Sequence, residues 1–102
     1  MDSLPKRIRD LVLEYGMHPY DINCGWCEDF ANTVADEFEG ARAEWGNKAE
    51  SLFEQGHKPY LHCYIVYEGA YYDSEEPEGV DSPVKLPLYY RQKWRATNCN
   101  VI

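Results

Sequence analysis

Apolar residues recur at intervals of three and four in the first part of the chain and at intervals of two near its middle, a pattern that predicts helices followed by strands. Leu4, Ile8, Leu11, Val12 and Tyr15 line one face of a first helix. Ser3 can cap it, Pro5 is tolerated in its opening turn, and Gly16 is a natural stop. Met17 to Asn23 (MHPYDIN) reads as a loop. A second helix opens at Gly25 or Trp26, where Cys27, Phe30, Ala31, Val34, Ala35 and Phe38 form an apolar stripe that ends before Gly40. Asn47 and Glu50 stand at capping-box spacing and predict a shorter third helix ending before Gly56.

Beyond Lys58-Pro59 the period changes. Tyr60 to Tyr67 (YLHCYIVY) is aromatic and β-branched, Glu68-Gly69 is a turn signal, and Ala70 to Ser74 resumes the strand pattern, so this stretch predicts a β-hairpin. An acidic loop carrying Pro77 and Pro83 follows. Lys85 to Arg95 fits either a short helix or an edge strand, because Pro87 argues against a central strand. Helices first and strands second place the chain in the α+β class. Its 102 residues suffice for one domain, 1–102, and not for two.

Composition narrows the function more than the fold. The chain is 44% hydrophobic and 27% charged, enough to bury a core. A formal net charge of −8 turns it away from nucleic acid, whose phosphates call for a basic surface. Glu68 to Asp81 holds six acids and no base, and all charge after it is basic: Lys85, Arg91, Lys93 and Arg95. The expected arrangement is a solvated tail pairing with the acidic loop. No stretch approaches the roughly 18 apolar residues of a membrane span, so no membrane partner is expected. The N-terminal residues lack the order of a secretion signal, which predicts a cytoplasmic protein whose four cysteines are reduced.

One of those cysteines has a chemical setting. Cys27 stands at the start of the second helix, where free N–H groups and positive potential favour a thiolate and can receive an oxyanion. In the hairpin, a two-residue turn at Glu68-Gly69 pairs 67 with 70, 66 with 71, 64 with 73 and 62 with 75. Asp73 then shares a face with His62 one diagonal step away, with Glu75 directly opposite as the rival partner; a three-residue turn would reverse the face. A carboxylate holding a histidine whose other nitrogen meets a thiol is what nucleophilic catalysis requires.

Gly25-Trp26-Cys27-Glu28-Asp29-Phe30-Ala31 resembles the G-x-C-x-x-F-A nucleophile segment of transglutaminases. Cys24-Gly25-Trp26-Cys27 followed by Phe30 resembles the C-G-x-C-x-x-F of papain-like peptidases. His62 through Asp73 (HCYIVYEGAYYD) is similar to the H-x-W-V-x-V…G-x-W-x-x-D hairpin of bacterial transglutaminase-like proteins. The resemblance to this papain/transglutaminase-like cysteine protease superfamily covers about a third of the chain. It implies an α+β core whose nucleophile helix packs on a small antiparallel sheet, with Cys27 as nucleophile, His62 as base and Asp73 as orienter. It further implies a thiol-dependent hydrolase or acyltransferase (peptidase, amidase or transglutaminase) acting on a peptide or protein substrate without cofactor or metal. Papain-like enzymes carry a Gln six residues before the nucleophile; here that position is Asp21, whose carboxylate cannot donate the hydrogen bond. Asn23, Tyr20 and Trp26 are the remaining candidates for oxyanion and substrate contacts.

Three rival readings use the same residues. Cys24-Gly25-Trp26-Cys27 is similar to the C-x-x-C of thioredoxin-like redox proteins, a fold that needs a βαβ unit. Cys24 and Cys27 also have zinc-ligand spacing, with His57, His62, Cys63 and Cys99 as possible completions. A non-catalytic binding protein could keep the same fold. Other histidines, His18 and His57, read as surface residues beside prolines.

Overall fold

In the computed structural model, which describes residues 3–46 and 62–91, three helices precede a four-stranded sheet. The first helix, α1 (Leu4–Tyr15), is capped as its sequence predicts: the Ser3 hydroxyl accepts from the Lys6 N–H, and Gly16 ends it in the left-handed conformation at φ 65°. Leu4, Ile8 and Leu11 form its buried stripe. The segment read as a loop is instead a short helix, α2 (Pro19–Gly25). Seven residues are too few to show a period, but the helix is well begun. Pro19 opens it, Asp21 complements its dipole, and the exposed His18 caps it with Nδ1, 3.1 Å from the Tyr20 N–H. Trp26 closes α2 and caps α3 (Cys27–Glu37), so two helices meet at one residue.

The sheet runs β1 (Arg42–Trp45), β2 (Cys63–Tyr67), β3 (Ala70–Asp73) and β4 (Glu76–Val80), in sequence order and antiparallel throughout. The hairpin register is the one its turn dictates: Tyr67 pairs with Ala70, Val66 with Tyr71 and Ile65 with Tyr72. Both turn residues have positive φ, 50° at Glu68 and 78° at Gly69, as a two-residue turn matched to strand twist demands. Glu68 is the one non-glycine residue there among those described, and a Cβ is disfavoured in that region. Glu68→Asn is therefore expected to raise stability by about 1 kcal/mol, read as a higher urea midpoint with an unchanged slope.

Two strands escaped the sequence pattern. β1 is four residues long with alternating charge, and it pairs along β2 from Arg42 opposite Val66 to Trp45 opposite Cys63. β4, expected as acidic loop, is an edge strand that accommodates Pro77 and Gly79. Its register against β3 shifts between the Tyr71 and Asp73 pairs. Gly79 has φ 82°, and a Cβ there would lie 2.5 Å from the Tyr72 ring, so the tyrosine covers a site only glycine leaves open. The Lys85 to Arg95 segment turns out helical over residues 87–91, after a 3-10 turn at Pro83–Lys85. The predicted helix from Asn47, together with Tyr60, Lys93, Arg95 and Cys99, lies outside the described residues.

Alternation along β2 divides the interior in two. Cys63 and Ile65 face α1, α2 and α3, joining Leu4, Ile8, Leu11, Ile22, Phe30, Ala31 and Val34. Tyr64 and Val66 face the other way, against Leu86 and Tyr89 of the C-terminal segment. The chain is thus an α+β fold with its sheet covered on both faces. No helix among the described residues is long and apolar enough to cross a membrane.

Candidate active site

Three elements converge at the N-terminal end of β2. The α3 helix supplies Cys27 at its first position, where the N–H groups of the opening turn have no partner within the helix. Its stripe of Phe30, Ala31 and Val34 is buried against the sheet, which leaves Cys27 at the mouth of the helix rather than in the core. His62 precedes β2, and Asp73 ends β3.

The histidine is fully buried and the carboxylate is 2% exposed. His62 Nε2 lies 3.0 Å from Asp73 Oδ2, so the ring presents an N–H to the carboxylate on that side. Between the two acids that the register left open, Asp73 is the partner; Glu75 turns away to Arg91 and Asn23. The second Asp73 oxygen, Oδ1, accepts the Glu75 N–H at 2.9 Å. Tyr64 and Tyr89 surround the imidazole, with ring centroids 6.3 and 5.6 Å away, and the Tyr89 hydroxyl donates to the His62 carbonyl at 3.3 Å.

The other ring nitrogen, Nδ1, is buried and has no regular hydrogen bond among the described residues. Cys27 is the neighbour that acts on it, since charge on either group shifts the other. His62 packs with the aromatic face of the sheet, while Cys27 packs against the helix-side core. The Cys27 sulfur also receives the Cys63 N–H at 3.4 Å.

These contacts set the charges. Burial alone would raise the Cys27 thiol, but His62 and the Cys63 and Glu28 N–H groups outweigh it and hold the thiol below its ordinary value. Burial would likewise lower His62, yet the Asp73 and Cys27 partners push it up to about 9. Cys63, by contrast, is pushed up to about 12 by burial and by the nearby Cys27 charge, which makes it an inert packing thiol. Each group therefore favours the charged form of the other.

The remaining candidates separate by geometry. Trp26, next to Cys27 in sequence, is 52% exposed. Asn23 is buried, its amide donating to Glu75 Oε1 at 2.9 Å and its oxygen 2.9 Å from the Ser74 hydroxyl, so it braces the β3–β4 turn and does not face the thiol. Tyr20 lies under the Arg91 guanidinium, 4.7 Å from carbon to ring centroid. The Asn23 amide is thus engaged with Glu75 and the Tyr20 ring with Arg91. Sequence reasoning gave Arg91 only a charge-pairing role and passed over Tyr89 and Ser74. For Tyr89 a signal existed, since Leu86 and Tyr89 stand at helical spacing.

The rival chemistries find less here. The sheet is antiparallel throughout, whereas a thioredoxin-like reading requires a parallel βαβ unit. Cys24, Cys27 and Cys63 are free thiols, and no three His, Cys, Asp or Glu side chains among the described residues are grouped as metal ligands would be; His57 and Cys99, the other zinc candidates, lie outside the described residues. Arg91 and Lys85 do pair with the acidic segment, through Glu75 at 2.7 Å and Asp81 at 2.8 Å. Compared with models of protein families, with curated proteins and with solved structures, the chain matches none.

Proposed function

We propose that the chain is a thiol-dependent hydrolase or acyltransferase, with a papain/transglutaminase-like core, acting on peptide or carboxamide bonds through Cys27, His62 and Asp73. The observation that carries this reading is a partly buried thiol at a helix start, electrostatically coupled to a buried imidazole whose other nitrogen is held by a buried carboxylate at 3.0 Å. Packing alone does not call for a buried charged pair directed at a thiol, since burying charge is costly.

In this mechanism the Cys27 thiolate attacks the carbonyl carbon, and the Cys27 N–H receives the developing oxyanion. His62 gives the Nδ1 proton to the departing amine, leaving a thioester on Cys27. The neutral ring then takes a proton from an incoming water or amine as it attacks the thioester. Water gives hydrolysis and an amine gives transamidation. Asp73 keeps Nε2 protonated throughout, so the proton that comes and goes is always the one on Nδ1, the nitrogen facing the sulfur.

Alkylation supplies the test. An ordinary thiol titrating near 9 is ionised on the order of one part in a thousand at pH 6. Cys27 should react with iodoacetamide at pH 6 well ahead of the exposed Cys24 in the same molecule, as located by peptide mass mapping. Peptide hydrolysis, or incorporation of a primary amine into a glutamine-bearing protein, should then vanish in Cys27→Ser. It should also decline above about pH 9, where His62 loses the proton the leaving group needs. Equal alkylation of Cys24 and Cys27 at pH 6 would sink the proposal.

A further inference from the structure

Asp73 can orient His62 only if its own carboxylate is fixed, and among the described residues its second oxygen rests on one backbone N–H, that of Glu75 at 2.9 Å. The position of that N–H depends on the turn between β3 and β4, which side chains tie down from two directions. Arg91, on the helical segment at residues 87–91, grips Glu75 with both arms of its guanidinium: Nη1 to Oε2 at 2.9 Å and Nη2 to Oε1 at 2.7 Å. Asn23 of α2 donates to the same Oε1 at 2.9 Å. Beside it the Ser74 hydroxyl lies 2.8 Å from the Pro19 carbonyl and 2.9 Å from Asn23 Oδ1, its proton shared between them.

We infer that the Arg91–Glu75 pair is a positioning clamp: it fixes the turn that presents the Glu75 N–H to Asp73, and so holds the His62 ring toward Cys27. The inference rests on the reading of Cys27, His62 and Asp73 as one site, and it makes Arg91 a positioning residue that touches none of the reacting atoms. Geometry favours this role over simple stabilisation. An ion pair at this depth, with 13% and 37% of the two side chains exposed, adds little net stability, while a two-pronged fork specifies orientation. The same cluster braces α2, whose last turn runs into Trp26 and Cys27, so nucleophile and orienter are referred to one frame.

A clamp and a mere charge predict opposite results. The groups facing His62 are Asp73, Cys27, Tyr64 and Tyr89; those facing Glu75 are Arg91, Asn23 and His18. Arg91→Lys keeps the positive charge and loses the fork. If Arg91 acts by charge, Arg91→Lys behaves as wild type. If it acts by position, Asp73 loosens and the imidazolium loses its support, so the His62 titration, followed by ring-proton NMR, moves to lower pH. The Cys27 alkylation rate at pH 6 then falls roughly tenfold for each unit by which the thiol rises, and recovers by pH 10, where even a thiol of ordinary acidity is mostly ionised. Glu75→Gln, which keeps the side-chain shape, should act in the same direction. An unmoved His62 titration in both variants overturns the clamp, as does an alkylation loss equal at pH 6 and pH 10, which marks general loosening. If wild-type Cys27 already reacts no faster than Cys24 at pH 6, it is the catalytic reading that fails. The His62 titration still decides the clamp.

Discussion

Replacing His62 with alanine is expected to abolish both the chemistry and much of the stability, whereas replacing it with glutamine should abolish the chemistry alone. The imidazole is fully buried between Tyr64 and Tyr89, and its Nε2 is one of two partners of a carboxylate that is itself 2% exposed. Among the described residues His62→Ala leaves that carboxylate with the Glu75 N–H alone, and it opens a void between the tyrosines. Breaking a buried charged pair in this way costs about 3–5 kcal/mol, against a total of roughly 5–15 kcal/mol for a domain of this size. Turnover should fall by about 10⁴-fold or more, the usual consequence of losing the base of such a triad. Glutamine can place an amide N–H near where Nε2 stood, restoring the bond to Asp73 Oδ2 and most of the volume, but it cannot accept and return a proton. Urea denaturation of the two variants, run beside peptide hydrolysis and Cys27 alkylation at pH 6, separates the contributions. Should His62→Gln retain turnover, His62 is a structural residue and the mechanism is wrong.

The residues in that experiment were largely legible in the sequence, because they lie on elements whose periods are strong. The α3 stripe sets Cys27 at the head of a buried face, and a two-residue turn with both φ values positive leaves one register for the hairpin. Once 66 pairs with 71, His62 and Asp73 must share a side. The choice of Asp73 over Glu75 was not legible, since it depends on Arg91, a residue of an ambiguous segment that arrives from the far end of the chain. Short elements were equally opaque. α2 is under two turns long, β1 has four residues, and β4 carries the Pro and Gly of an edge strand. Each takes its structure from neighbours rather than from its own pattern, as when the Tyr72 ring covers Gly79. Asn23 shows the limit for single residues. Its place before the nucleophile invites an oxyanion role, yet the fold uses its amide to brace Glu75 and Ser74.

Phe30→Ala should produce the largest loss of stability among core substitutions and should carry the nucleophile with it. Phe30 is 2% exposed, one turn along α3 from Cys27, and meets Tyr15 of α1 edge-on with centroids 5.6 Å apart and planes at 65°. It therefore joins the two helices on the face of the sheet that Cys63 and Ile65 present. Truncation removes the transfer energy of the ring and leaves a cavity that the paired helices can only partly close, for about 3–5 kcal/mol. In a domain of this size that corresponds to a melting temperature lower by roughly 12 °C or more. Phe30→Leu keeps most of the volume and should lose less than about half as much. Tyr15→Phe deletes only the hydroxyl that donates to the exposed Asp29 at 2.8 Å, and should change stability by less than about 1 kcal/mol. Because the same packing that buries Phe30 sets Cys27 against the Cys63 N–H and the His62 ring, the folded fraction of Phe30→Ala should also alkylate more slowly at pH 6 than wild type. Calorimetry and alkylation measured well below the melting temperature test the two halves. An unchanged melting temperature would show that α3 is held by something other than this stripe, and unchanged alkylation in the destabilised protein would show that the helix mouth is fixed independently of its core face.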